Sequence, residues 1–219
     1  MRIDLKKIVA TLFISISTLS LFGQAYYQEI QRFKRADSLS FPAANQILFI
    51  GSSTFTNWKD VQQDFPGFNI INRGFGGSKL TDQIFYANEI LFPYQPKQIV
   101  IYCGENDLNK ETNGDIVFER FKELYYLIRK QLPKTPILYI SLKPSPFKRP
   151  HMEELQKANH RIAAFIKKTG KRIEYLDMYS LMMVNDTDIM PHIFLSDSLH
   201  MNRAGYDIWK KAIEPKLKK

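Results

Sequence analysis

Cysteine is nearly absent: Cys103 is the only one in 219 residues. No intramolecular disulfide can form, even in an exported chain. Cys103 closes an apolar run, where a buried, inert thiol is expected rather than a nucleophile. Histidine is scarce as well. His151, His160 and His192 show no spacing to cysteine or acidic partners that would suit a metal, so surface or packing roles are expected for them. The chain has no internal repeat and no composition of a disordered or collagen-like protein. It also lacks a concentrated basic patch. Lys and Arg outnumber Asp and Glu 31 to 22, for a formal charge of +9. Their clusters are modest: Lys148-Arg149, Lys167-Lys168 with Lys171-Arg172, and Lys216 to Lys219. None is interleaved with aromatics as a base-stacking surface would be, so solvated helix faces are expected and a nucleic-acid partner is not.

Only one stretch is long and apolar. Lys6 and Lys7 precede the run Ile8 to Phe22, and Gly23-Gln24-Ala25 follows with a small-x-small pattern. This order reads as a signal peptide over residues 1–25, with a mature chain starting near Tyr26. The run falls short of the roughly 20 apolar residues of a membrane span, although an uncleaved N-terminal anchor has a similar pattern. No cysteine stands near the cleavage site to take a lipid. Export, to a periplasm or outside the cell, is the expectation, with no stable membrane anchor after cleavage. Arg2, Lys6 and Lys7 against Asp4 account for +2 of the charge, leaving +7 on residues 26–219.

What remains has ordinary globular statistics, at 44% hydrophobic with 16 Phe and 11 Tyr. Residues 26–219 are long enough for one domain with a sizeable core. Five short apolar runs recur at Ile47–Ile50, Phe68–Ile71, Gln98–Tyr102, Ile137–Ile140 and Ile173–Leu176. They are continuous rather than alternating, which suits strands of a parallel sheet buried on both faces. Between them Val117, Phe121, Leu124 and Ile128 trace one helical stripe, and Leu155, Ala158, Ile162 and Phe165 trace another. Arg203 to Leu217 reads as a closing helix that Pro215 disturbs near its end. Strands alternating with helices imply right-handed crossovers and a three-layer α/β/α sandwich. Three Pro-containing connections, at 92–96, 132–136 and 143–146, read as loops within this rhythm rather than as domain linkers.

Open parallel sheets carry their sites at the carboxyl ends of the strands. After the first run comes Gly51-Ser52-Ser53-Thr54, and after the second Asn72-Arg73-Gly74-Phe75-Gly76-Gly77-Ser78. Gly104-Glu105-Asn106-Asp107 follows the third, and Ser196-Asp197-Ser198-Leu199-His200 stands near the C-terminus. Covalent ester hydrolysis needs a nucleophile, a base, a group that orients the base, and donors for the oxyanion. A serine hydroxyl, an imidazole and a carboxylate three residues from that imidazole supply the first three. The Gly77 N–H, the Asn106 amide and the Ser53 N–H are candidate donors. Singly, Gly-Ser-Ser and Gly-x-Asn-Asp are more often plain turns, and Asp-x-x-His is equally open as a helix cap or a metal-ligand fragment; their order and placement carry the argument.

Taken together, Gly51-Ser52-Ser53, Gly76-Gly77, Gly104-Glu105-Asn106-Asp107 and Asp197-x-x-His200 resemble, in order, the four blocks of the SGNH/GDSL hydrolases. The Gly-Glu-Asn-Asp-Leu and Asp-Ser-Leu-His-Met-Asn stretches are similar to the acylhydrolase branch that includes platelet-activating-factor acetylhydrolase-like proteins. The resemblance spans Ile47 to Trp209. It implies a flavodoxin-like sandwich with five parallel strands, and neither a metal nor an organic cofactor. It implies Ser53 as nucleophile, Asp197 and His200 as the rest of the triad, and Gly77 and Asn106 as oxyanion donors. The usual Gly-Asp-Ser is Gly-Ser-Ser here, so Ser52 and Ser53 compete for the role and alignment on Gly51 selects Ser53. Gly76 competes with Gly77 in the same way.

The expected activity is hydrolysis of small acyl esters, acetyl above all, on a glycan or a lipid-derived substrate. A lysophospholipase or thioesterase of longer chains, and a non-catalytic carbohydrate- or lipid-binding module, are the alternatives. Glu105 is expected to cap its turn, with a second catalytic acid as the alternative, and Trp58 to pack the first helix, with a place in the acyl pocket as the alternative. Lys143-Pro144-Ser145-Pro146 follows the fourth run and is expected to border the crevice, and Lys143 or Arg149 is a candidate to meet an anionic substrate, or else to be solvated.

Overall fold

The computed structural model describes residues 26–170 and 172–219. The expected signal peptide lies outside the described residues. By its internal packing the chain divides after Ser40 into two compact units. The described part of the first consists of helix α1, Tyr27–Leu39, and its flanking residues. The second, Phe41–Lys219, holds the sheet and everything described below. Among the described residues no helix is long and apolar enough to cross a membrane.

Five strands make the sheet: β1 Ile47–Gly51, β2 Ile70–Gly74, β3 Gln98–Tyr102, β4 Ile137–Ile140 and β5 Ile173–Leu176. All pairings are parallel and the order is β2-β1-β3-β4-β5. This is the flavodoxin-like doubly wound order, whose direction reverses between β1 and β3. Strands β1, β3 and β4 are buried along their whole length, which is why they read as continuous apolar runs.

The edge strand departs from expectation. The run Phe68–Ile71 predicts β2, but the strand begins at Ile70 and extends through Asn72 and Arg73 to Gly74. With a neighbouring strand on one side only, β2 tolerates half-buried polar residues. Phe68 belongs instead to a turn, its N–H donating to Phe65 O at 3.0 Å.

Helices α2 Ser53–Asn57, α3 Leu80–Phe85, α4 Gly114–Gln131, α5 Met152–Thr169 and α6 Arg203–Ile213 follow in the second unit, with shorter turns between them. Alternate sheet residues serve the two faces. On one face Phe49, Val100, Tyr102, Leu138 and Ile140 join a core with Phe55, Trp58, Trp209 and Ile213. On the other, Tyr139 meets Phe121 of α4 with ring centroids 4.7 Å apart. Burying each such Ile, Leu or Phe contributes about 1.5–3 kcal/mol.

The stripe Val117, Phe121, Leu124 and Ile128 is buried along α4 as its spacing predicts. In α5, Leu155, Ala158 and Ile162 are buried with Ile166, while Phe165 is half-buried against the rings of Phe121 and Tyr125. Helix α6 stops at Ile213, and Pro215 falls in a separate tight turn, since its ring cannot continue the helical hydrogen-bond ladder.

The strand register sets the stage for the site. Gly51 pairs with Gly74 on one side and Tyr102 on the other. Three chain segments therefore leave the sheet at the same level, beside the β1/β3 reversal.

Candidate active site

The β1 exit is shaped by Gly51, whose φ is +152°. A Cβ there would stand 2.0 Å from the Tyr102 carbonyl oxygen, so only glycine lets β1 pass its neighbour and turn. The turn buries Ser52 to 3% exposure, its N–H donating to Tyr102 O at 3.2 Å. Ser53, half-buried, opens α2. Two long-range contacts hold this short helix: Asn72 Nδ2 donates to Phe55 O at 2.7 Å, and the Tyr206 hydroxyl to Thr54 O at 2.9 Å. Gly74 lets α2 sit against β2, since a Cβ there would meet the Phe55 Cβ at 2.6 Å.

Ser53 Oγ lies 3.1 Å from His200 Nε2, and His200 Nδ1 lies 2.6 Å from Asp197 Oδ2. The other carboxylate oxygen accepts the N–H groups of Leu199 and His200, each at 2.9 Å. The His200 hydrogen bond and these two amides lower the Asp197 pKa to about 2. A carboxylate ionised at neutral pH accepts the Nδ1 proton, which leaves Nε2 as the acceptor facing Ser53. The three-residue spacing works through a loop, with Ser198 at φ +59°. The loop closes through Leu195 N–H on His200 O at 2.7 Å and Ser198 N–H on Leu195 O at 2.9 Å. Asn202 caps α6 just beyond.

The other two loops are joined by Ser78, which is fully buried. Its hydroxyl contacts Phe75 O at 2.8 Å and Gly51 O at 3.2 Å, and receives Gln83 Nε2 at 2.9 Å. Its carbonyl accepts Asn106 Nδ2 at 3.1 Å, which sets the half-buried Asn106 amide against the Gly76–Ser78 loop. Gly77 is exposed with φ +78°, while Gly76 is half-buried. Asp107 does structural work here. Fully buried, it accepts Leu80 N–H at 3.0 Å and Arg120 Nη1 at 2.8 Å, anchoring the start of α3 to α4. Burial raises its pKa against the effect of those bonds.

Of the two serines, the structure brings Ser53 to His200 and buries Ser52 in the turn. Lys143 corrects an expectation: it is 1% exposed and does not reach solvent. Its ammonium is 3.2 Å from both Glu105 carboxylate oxygens and 2.9 Å from Leu199 O. Glu105 is correspondingly a buried ion-pair partner, not a turn cap, and it also accepts the Tyr102 hydroxyl. Trp58, 2% exposed, packs against Phe65, Tyr206 and Trp209, and donates to Asp64 Oδ2 at 2.7 Å. Cys103 is buried, and burial raises its thiol pKa well above the usual value. Sequence reasoning missed Ser78, Asn72, Tyr206 and the Lys143–Glu105 pair. Only the pair left a signal, a lysine and a glutamate at the carboxyl ends of two buried strands.

The fold recurs in solved structures. One from Streptococcus pneumonia, provisionally described as a platelet activating factor, has a TM-score of 0.74 at 19% identity, covering 94% of this chain and 99% of its own. A GDSL-like lipase from Bacteroides thetaiotaomicron has a TM-score of 0.72 at 22% identity, covering 85% and 96%. An acetyl xylan esterase from Geobacillus stearothermophilus has a TM-score of 0.62 at 15% identity, covering 80% and 95%. No curated protein sequence matches significantly. The profile of the GDSL-like lipase/acylhydrolase family matches residues 37–208, from the end of α1 into α6. On that match, with the strand order that accompanies it, the chain belongs to the GDSL-like lipase/acylhydrolase family of ester hydrolases.

Proposed function

We propose that this protein is an exported serine ester hydrolase that removes small acyl groups, acetyl above all, from a glycan or a lipid-derived substrate. The observation that carries the reading is the aligned series Ser53 Oγ, His200 Nε2, His200 Nδ1 and Asp197 Oδ2, at 3.1 and 2.6 Å.

In the first step Ser53 Oγ bonds to the acyl carbon while its proton passes to His200 Nε2. Asp197 stabilises the resulting imidazolium and keeps its orientation. The tetrahedral oxyanion takes hydrogen bonds from the Ser53 N–H, the Gly77 N–H and the Asn106 amide. Each such donor is worth about 3–4 kcal/mol. The second proton on Asn106 Nδ2 is the one in question, since its first is directed at Ser78 O. Collapse of the intermediate gives the proton from His200 to the leaving alkoxide. Water then attacks the acyl-enzyme with His200 again as base, releasing the acid and restoring Ser53.

Export rests on the apolar, then small-residue pattern of residues 1–25. The acetyl preference draws support from the fold shared with an acetyl xylan esterase, which makes an acetylated glycan the first substrate to try. A fluorophosphonate probe followed by peptide mass spectrometry tests the nucleophile. The expected adduct is on Ser53, and it disappears in Ser53→Ala and in His200→Ala. No labelling of the folded protein overturns the hydrolytic reading in favour of a binding module. Rates on p-nitrophenyl acetate, octanoate and palmitate test the acyl size, and a preference for palmitate replaces the small-acyl reading with the lipase one.

A further inference from the structure

We infer that Lys143 is a positioning residue, a buried cation that clamps the backbone of His200 to the loop carrying Asn106. The inference rests on the reading of Ser53 and His200 as nucleophile and base, and it adds a residue that the ordered motifs do not include.

Lys143 leaves the carboxyl end of β4, where its side chain is almost wholly buried at 1% exposure. Its ammonium contacts Glu105 on the β3 exit at 3.2 Å and Leu199 O at 2.9 Å. Phe194, at the base of the His200 loop, has its ring centroid 5.8 Å from the same nitrogen. The Leu199 carbonyl belongs to the peptide bond that ends at His200 N. That peptide is therefore gripped at both edges, with Lys143 on its oxygen and Asp197 on its N–H at 2.9 Å. Glu105 is held in turn by the Tyr102 hydroxyl, and the Lys143 N–H lies 3.4 Å from that hydroxyl. Since Glu105 directly precedes Asn106, one ion pair ties the proposed base to the proposed oxyanion donor.

Stability alone is a poor account of this pair. A buried ion pair generally adds little over apolar residues of the same shape, because desolvation offsets the Coulomb attraction. An apolar residue at 143, however, could not hold the Leu199 carbonyl. The geometry of the reacting groups is what the charge secures. A displacement of about 1 Å in such groups costs on the order of 10²-fold in rate.

The test compares Lys143→Met with the double variant Lys143→Met/Glu105→Gln. The single variant strands a buried carboxylate and is expected to be less stable. The double variant removes that charge and recovers most of the melting temperature. In both, kcat is expected to fall roughly 10–100-fold with KM changed less than about threefold, and fluorophosphonate labelling of Ser53 to slow in parallel. Hydrogen–deuterium exchange across residues 194–201 is expected to quicken in the double variant. Wild-type kcat in a stable double variant, or unchanged exchange over 194–201, overturns the inference and leaves the pair a packing feature. Absence of Ser53 labelling in the wild-type protein overturns the hydrolytic reading instead, while the exchange comparison still decides the clamp.

Discussion

The Cα of Gly51 lies so close to Tyr102 that a methyl group on it would come within 2.0 Å of the Tyr102 carbonyl oxygen. That carbonyl also accepts the Ser52 N–H. The contact joins β1 to β3 at the point where the sheet reverses direction, and Ser53 projects from the turn it permits. Gly51→Ala should force the strands apart as well as strain a residue at φ +152°. The expected cost is about 3 kcal/mol or more, read as a melting temperature lower by roughly 6–12 °C. An unchanged melting temperature would refute the close approach.

The two serines separate by substitution. Ser52 is buried at 3% exposure, while Ser53 is half-buried and 3.1 Å from His200. Ser52→Ala should keep the fluorophosphonate adduct on Ser53 and retain hydrolysis within about tenfold, since no proton transfer passes through it. Ser53→Ala should lose both with its fold intact. An adduct on Ser52 in the wild-type protein contradicts this arrangement.

Asp197→Asn should lower kcat by about 10²–10⁴-fold, because a neutral amide no longer fixes the Nδ1–H tautomer of His200. With its carboxyl held down to about pH 2, Asp197 stays ionised at any pH where enzymes are ordinarily assayed. An acid limb in kcat/KM above about pH 4 must therefore come from another group. Steady-state rates of wild type and variant across pH 4–9 check this, and near-normal kcat in Asp197→Asn would remove Asp197 from the proposed mechanism.

Asp64 sets a pH dependence of stability. Its carboxylate, 6% exposed, accepts Arg203 Nη2 at 2.6 Å, Arg203 Nη1 at 2.8 Å and Trp58 Nε1 at 2.7 Å. The Arg203 hydrogen bonds lead in lowering its pKa from 3.8 to about 2. A carboxyl whose folded pKa lies below its unfolded one stabilises the fold above the unfolded value, and that gain fades as pH falls from about 4 to about 2. Asp64→Ala should cost roughly 2–4 kcal/mol at neutral pH, leaving the buried indole N–H unpaired. Its melting temperature should also vary less between pH 4 and 2 than that of the wild type. Parallel curves for both proteins would show that Asp64 contributes nothing to the pH dependence.

Cys103 should ignore thiol reagents in the native state. It is fully buried, its Sγ–H is directed at Ser78 O at 3.6 Å, and burial raises its pKa well above the usual thiol value. Reaction with iodoacetamide should appear only with denaturant; stoichiometric labelling of the native protein would contradict the burial.

Fold class was legible because burial on both faces forces an apolar run at each central strand, as at Ile47–Ile50 and Ile99–Ile101, and spacing alone reveals α4. Residue identity offered the Ser52-Ser53 pair, Asn106, Asp197 and His200 as candidates, since the proposed chemistry needs a hydroxyl, an amide, a carboxylate and an imidazole, and it was the family resemblance, aligned on Gly51, that favoured Ser53. The edge strand was less legible, because half-exposed β2 accepts Asn72 and Arg73 and so carries no apolar signature over its second half.

The sequence by itself thus determined the alternation of strands and helices and supplied the candidate reactive groups, both written in local side-chain chemistry. Tertiary structure decided which serine meets His200, through a register that sets Gly51 against Tyr102 and turns Ser52 inward. It also decided that Lys143 is an internal clamp and not a surface charge. Lys143 is separated by 38 residues from Glu105 and by 56 from Leu199. No local pattern records such contacts, because a lysine is buried only when distant chain segments bring it a carboxylate and a carbonyl together.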